Sequence, residues 1–296
     1  MDETAKHSEE LIHTYSEDGL LLTGALMHPR EEARDLVVVY VHGFPISSLI
    51  PLVWVFGRRI AGRGYPFLAA NTRGHDIGAH LFRRDGSAAL GGAWWEMFED
   101  CVHDLGAWLD VAERTGSGRT VLIGFSFGAL KAVFFQAERQ DPRVAGVVVA
   151  GGPVRAPGRP NIPSRLNAER AAIAERMVAE GRGMDLLPWE EPGEITPGMV
   201  SARTYLSWWR SNLDVFGAED AEPRIGRIRC PILLCYGTEE PEIATAEDLE
   251  AIRRRAISSS SVEVRLLDGA GHGFVGHERR AADSVADWLD RFAIVA

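Results

Sequence analysis

The stretch Thr120–Gln140, TVLIGFSFGALKAVFFQAERQ, decides how this 296-residue chain is read. Its first residues, TVLIGF, form a nearly continuous apolar run, the pattern of a strand covered on both faces. From Ala129 onward the pattern turns helical. Between the two stands Gly124-Phe125-Ser126-Phe127-Gly128, a G-x-S-x-G on a strand-to-helix turn. The glycines let neighbouring backbones pass close to a strained serine, and the turn aims Oγ away from the sheet. The helix N-terminus that follows favours developing negative charge. Ser126 is therefore the expected nucleophile.

Working outward, similar apolar runs recur as LVVVYV (36–41), FLAAN (67–71), VAGVVVAG (144–151), PILLCYG (231–237) and VEVRLL (262–267). Helical spacing lies between them: Phe98, Val102, Leu105, Leu109 and Ala112 recur at three and four, as do Ala282, Val285, Leu289 and Phe292. Ahead of them, LIHTYS and LLLTGALM flank the turn Glu17-Asp18-Gly19 and predict an antiparallel hairpin. The alternation predicts an α/β architecture, a mostly parallel central sheet with helices on both faces. It is interrupted at 153–229, where a Pro- and Gly-rich stretch precedes two helical segments, RLNAERAAIAERMVAE and PGMVSARTYLSWWRSNL. That length is too great for a loop. It predicts a helical cap over the carboxyl edge of the sheet, inserted between core segments 1–152 and 230–296.

A serine hydroxyl attacks only if a neighbouring base takes its proton. The base is expected in Asp268-Gly269-Ala270-Gly271-His272-Gly273-Phe274, after the last strand and before the closing helix, which selects His272 over His277. An acid should come between serine and histidine in chain order. Past PILLCYG the chain offers Glu239 and Glu240, with Asp248 and Asp268 further away. The oxyanion of an acyl-transfer intermediate needs two fixed N–H donors. Phe127, after the nucleophile, and Phe44, in the loop His42-Gly43-Phe44-Pro45, are expected to supply them.

Together HGFP (42–45), NTRGHD (71–76), GFSFG (124–128) and GAGHGF (269–274) resemble the α/β-hydrolase superfamily over residues 20–296. GGAWWEMFEDCVHDLGAWLD and DPRVAGVVVAGGP are similar to a branch related to siderophore-ester hydrolases. The resemblance implies an α/β-hydrolase fold and a serine hydrolase that cleaves acyl bonds with neither metal nor organic cofactor. Its usual aspartate, three residues after the glycine that ends the strand, falls on Glu240, which makes Glu240 the expected acid. A serine at the elbow, where epoxide hydrolases and haloalkane dehalogenases carry aspartate, points away from those chemistries.

Composition agrees with this reading and narrows the partners. The chain is 46% hydrophobic and 25% charged, enough for a sizeable core, and carries a net charge of -10. Such a chain repels phosphate backbones and anionic lipid, so a small acyl substrate is expected rather than nucleic acid or a membrane, with a homodimer as the one assembly considered. Cys101, Cys230 and Cys235 are odd in number and scattered, which predicts reduced thiols and a cytoplasmic setting. Trp95, Trp208 and Trp209 are the expected pocket walls. The substrate is expected to be an ester, lactone or thioester. An acyltransferase or C–C bond hydrolase with the same triad, or a non-catalytic binding protein of the same fold, are the alternatives.

Overall fold

The computed structural model describes residues 7–188 and 199–293, without the side chains of 292 and 293. Residues 189–198 of the expected cap and the Phe292 side chain thus lie outside the described residues.

The chain opens with β1 (His7–Tyr15) and β2 (Leu21–Pro29), then β3 (Val37–Val41), α1 (Pro51–Ala61) and β4 (Phe67–Ala70). A short hairpin, β5 (Ala79–Phe82) and β6 (Ala88–Gly91), precedes α2 (Cys101–Arg114). Next come β7 (Thr120–Phe125), α3 (Phe127–Arg139) and β8 (Val144–Ala150). The interval before the next strand holds α4 (Ile162–Arg165), α5 (Ala168–Ala179) and α6 (Ala202–Arg210). The chain closes with β9 (Ile232–Gly237), α7 (Ala246–Arg255), β10 (Val262–Leu267) and α8 (Glu278–Ala293).

Eight strands form one sheet in the order β1-β2-β4-β3-β7-β8-β9-β10. β3, β4, β7, β8, β9 and β10 run parallel, whereas β1 and β2 are antiparallel to their neighbours. The leading hairpin is present, with β1 extending four residues further toward the N-terminus than the LIHTYS run. Those four residues, His7, Ser8, Glu9 and Glu10, are all polar and the last three are exposed, so hydrophobicity carries no sign of them. The hairpin β5–β6 gives no clear sequence signal for a different reason, its strands being only four residues long and half of their residues exposed.

The parallel strands inside the sheet are apolar throughout because both faces are covered, whereas the edge strand β10 carries Glu263 and Arg265 and is only partly buried. Along β3, Val37, Val39 and Val41 join the core containing α2 and α3, while Val38 and Tyr40 join the core containing α1 and α8. Side chains alternate across a strand, so every position meets a helix layer. No helix among the described residues is long and apolar enough to cross a membrane.

Two features of this topology prepare a site. All parallel strands end at the same edge, so the segments after β3, β7, β8, β9 and β10 converge there. Furthermore, β3 is followed by β4 on one side while β7 lies on the other. That reversal opens a crevice between the ends of β3 and β7, the place where open α/β sheets bind ligands.

Candidate active site

Ser126 stands at that crevice, between β7 and α3, with φ +54° and ψ −122°. A non-glycine residue with positive φ costs on the order of 1–3 kcal/mol and persists only where its surroundings impose it. Here they do. A Cβ on Gly124 would come within 2.4 Å of the Gly128 carbonyl oxygen, and one on Gly128 within 2.4 Å of those of Val41 and His42. The elbow is thus pressed against its own helix and against the end of β3, and the Ser126 N–H is held by the Ala150 carbonyl at 2.8 Å.

His272 lies in the segment between β10 and α8. Its Nε2 is 2.9 Å from Ser126 Oγ, across 146 residues of sequence. Its Nδ1 is 2.8 Å from Glu240 Oε2, across 32 residues. The ring stacks on Phe125, centroids 5.2 Å apart. Glu240 follows β9 and is fully buried; its second oxygen accepts the Gly237 N–H at 2.6 Å. Gly151 makes room for the pair, since a Cβ there would sit 3.1 Å from His272 Nδ1 and 3.3 Å from Glu240 Oε2.

The other candidates have different positions. Glu239 is exposed and its backbone N–H binds the Ala270 carbonyl. Asp248 caps α7 by accepting the Thr245 N–H and pairs with Arg159. Asp268 offers its backbone carbonyl to Arg280, and His277 Nδ1 faces the same arginine at 3.0 Å.

On the opposite side of Ser126 lies the loop after β3. A Cβ on Gly43 would come 2.8 Å from Ser126 Cβ, so that loop touches the elbow. Among the described residues, no backbone acceptor takes the Phe44 N–H. Phe127 opens α3, where N–H groups have no partner within the helix.

Of the three expected pocket tryptophans, only Trp208 comes to these residues. It is fully buried, with ring centroids 5.6 Å from Phe44 and 5.4 Å from Phe127. Its Nε1 is buried without a hydrogen-bond partner. Trp209, one position on along α6, is turned by about 100° and faces solvent, as adjacent helical residues must. Trp95 instead donates its indole N–H to the Met184 carbonyl at 3.0 Å and lines a separate cavity of about 260 Å³ with Arg73, Asp100 and Met184.

Sequence reading missed a buried polar group behind the elbow. Lys131 Nζ lies 2.7 Å from Glu96 Oε2 and 3.0 Å from Thr72 Oγ1, and His42 Nε2 lies 3.1 Å from Thr72 Oγ1. Burial foremost, then the nearby Lys131 charge, pushes the His42 imidazole down to about 3. Burial also pushes the Glu96 carboxyl up, and Lys131 opposes it. A lone lysine inside the apolar run ALKAVFF was the available signal. The three cysteines are unpaired; Cys101 and Cys235 are buried and Cys230 partly so.

Comparison with known proteins places this geometry in context. A model of the alpha/beta hydrolase family matches residues 38–288. The chain is 21% identical over 280 residues to dipeptidyl aminopeptidase BIII of Pseudoxanthomonas mexicana, covering 92% of this chain and 36% of that one. It thus spans about a third of the length of that curated relative. Among solved structures, it is similar to the alpha/beta hydrolase GrgF of Penicillium sp. sh18, with TM-score 0.69 and 16% identity over 96% of this chain and 98% of that one. Est1E of Butyrivibrio proteoclasticus with bound ferulic acid gives TM-score 0.65 and 14% identity over 96% and 100% of the two chains. The esterase Pf2001 of Pyrococcus furiosus gives 0.60 and 17% over 96% and 93%.

Proposed function

The chain belongs to the alpha/beta hydrolase family, and on that basis we propose that this hydrolase cleaves acyl bonds through an acyl-enzyme on Ser126. One observation carries the reading. Ser126 Oγ, the His272 ring and a fully buried Glu240 carboxylate form a single hydrogen-bonded line at 2.9 and 2.8 Å.

In the proposed reaction, Ser126 Oγ attacks the acyl carbonyl carbon while His272 Nε2 accepts its proton. The carbonyl π bond opens, and the negative charge on oxygen is met by the Phe44 and Phe127 N–H groups. His272 then returns the proton to the leaving group as the carbon–leaving-group bond breaks. Water, deprotonated by the same nitrogen, attacks the acyl-enzyme, and the acid product leaves with Ser126 regenerated. Glu240 holds Nδ1 protonated, fixes the ring and stabilises the imidazolium formed on the way. Residues 153–229 act as the cap, with Trp208 closing the acyl side of the pocket beside Phe44 and Phe127.

Esters head the substrate screen because the similarly folded Pf2001 of Pyrococcus furiosus is an esterase. Lactones, thioesters and siderophore esters belong beside them, as do dipeptide amides, given the name of the curated relative. The test is turnover of this panel, together with labelling by a fluorophosphonate, for the wild type and Ser126→Ala. The variant should fold normally and lose both signals, turnover by several orders of magnitude. A folded Ser126→Ala enzyme with near-normal turnover would sink the mechanism.

A further inference from the structure

We infer that Lys131, Thr72 and His42 form a relay of hydrogen bonds that orients and polarises the Gly43–Phe44 peptide, strengthening its N–H as an oxyanion donor. The inference rests on the proposed role of the Phe44 N–H.

The direction of the relay follows from groups that can only donate. Lys131 Nζ carries no acceptor, so at 3.0 Å it donates to Thr72 Oγ1. The Thr72 backbone N–H, 3.1 Å from His42 Nε2, can likewise only donate, so Nε2 is an acceptor. The Thr72 hydroxyl hydrogen, its oxygen being engaged by Lys131, is left to point at the same Nε2, also 3.1 Å away. With Nε2 accepting, the neutral imidazole carries its hydrogen on Nδ1, which donates to the Gly43 carbonyl oxygen at 2.9 Å. Every bond in the chain runs from the ammonium toward that carbonyl. Aligned bonds polarise one another where the local dielectric is low.

The Gly43 carbonyl and the Phe44 N–H belong to one peptide unit. A hydrogen bond to the oxygen draws electron density through the amide and leaves the N–H a better donor. It also stops the peptide from rotating, so the donor is fixed before the oxyanion forms.

The setting is built for this. His42, Thr72, Lys131 and Glu96 are all buried. Glu96 neutralises Lys131 at 2.7 Å, and a Cβ on Gly74 would come 2.0 Å from the Glu96 carboxyl carbon, so the pocket is closed around it. A buried ion pair is a poor stability device, since desolvation offsets its attraction. Lys131 sits one turn after Phe127 on α3, with Nζ 5.6 Å from that ring.

These are positioning residues, and the test must separate positioning from folding. Thr72→Val removes the hydroxyl at nearly constant shape and leaves the ion pair in place. With 4-nitrophenyl butyrate as substrate, kcat should fall about tenfold with little change in KM, a weakened donor costing less than one removed. Affinity for a trifluoromethyl ketone, which forms an oxyanion on Ser126, should fall by the same factor. Thr72→Ser should restore both. A purely structural role would lower the amount of active enzyme without moving the ketone affinity. Should Thr72→Val not fold, the pair Lys131→Gln with Glu96→Gln removes the charges while keeping a hydrogen bond, and the same two losses are expected. Wild-type kcat and ketone affinity in either folded variant would overturn the relay alone, provided turnover still depends on Ser126. Turnover that survives Ser126→Ala would overturn the site and the relay together.

Discussion

Ser126 holds its strained φ of +54° because neighbouring backbones close on it, and of the two adjacent glutamates after β9 only Glu240 is buried and bonded to His272. Glu240 is sequestered with both oxygens engaged, whereas Glu239 faces water. Glu240→Gln should therefore lower kcat by orders of magnitude, because an amide presents one oxygen where two acceptors are needed. Glu239→Gln should leave kcat nearly unchanged. Measuring both variants side by side checks this, and a large loss at Glu239 with Glu240 silent would reverse the assignment. His42 offers a second test. Its folded imidazole is held neutral down to about 3, chiefly by burial, whereas an unfolded one protonates near 6.5. Between those values only the unfolded chain takes up the proton, so this residue's contribution to stability is present above about pH 6.5 and is lost as pH falls, at about 1.4 kcal/mol per unit. The His42 ring nitrogens should keep the NMR shifts of a neutral Nδ1–H tautomer at pH 5, and an imidazolium there would refute the tautomer.

Among the elements, α6 shows how a short helix between β8 and β9 is tied to the core. Ser201 caps it by accepting the Thr204 N–H, the Ser201 N–H binds the Trp94 carbonyl, and Ser207 Oγ accepts the Phe98 N–H at 2.6 Å. These bonds turn Trp208 inward onto Phe44 and Phe127. Because its indole N–H has no partner, shape alone should matter there. Trp208→Phe should cost far less than Trp208→Ala, which opens a cavity worth about 3–5 kcal/mol. Urea unfolding of both variants decides it, and equal losses would mean that the N–H is engaged after all. The same elements show what the sequence could reveal. The elbow was legible because strand, turn and helix signals fall within one short stretch, and the inner strands of the sheet's parallel part announced themselves by apolar residues on both faces. That Trp209 faces solvent and Trp95 a separate cavity was not legible, because aromatic residues carry no mark of direction. The Thr72–Lys131–Glu96 group was illegible because its members meet across 59 and 35 residues, contacts set only by the packed fold.

For the molecule as a whole, the site depends on how the end of the chain docks. α8 follows the His272 segment and packs on α1 and the turn after it, where Arg59 meets Asp283 at 2.6 Å, Arg63 meets Asp287 at 3.0 Å, and Tyr65 donates to Asp290 at 2.9 Å. Buried apolar residues, among them Trp288 and Leu289, supply the bulk of that contact. We expect His272 to reach Ser126 only once this seam has closed. The consequence concerns synthesis. A ribosome that has made β7, α3 and β8 has already made the proposed nucleophile, yet the proposed base lies 146 residues further along. Throughout that interval the nascent chain carries an ordinary serine, unable to attack esters in its surroundings or to acylate itself. Refolding from denaturant should reproduce the order: labelling by a short fluorophosphonate pulse should appear only once the α8 amides are protected from hydrogen exchange. Labelling that precedes that protection would show a nucleophile activated without its histidine, and the half-made enzyme would then be a hazard instead of a bystander.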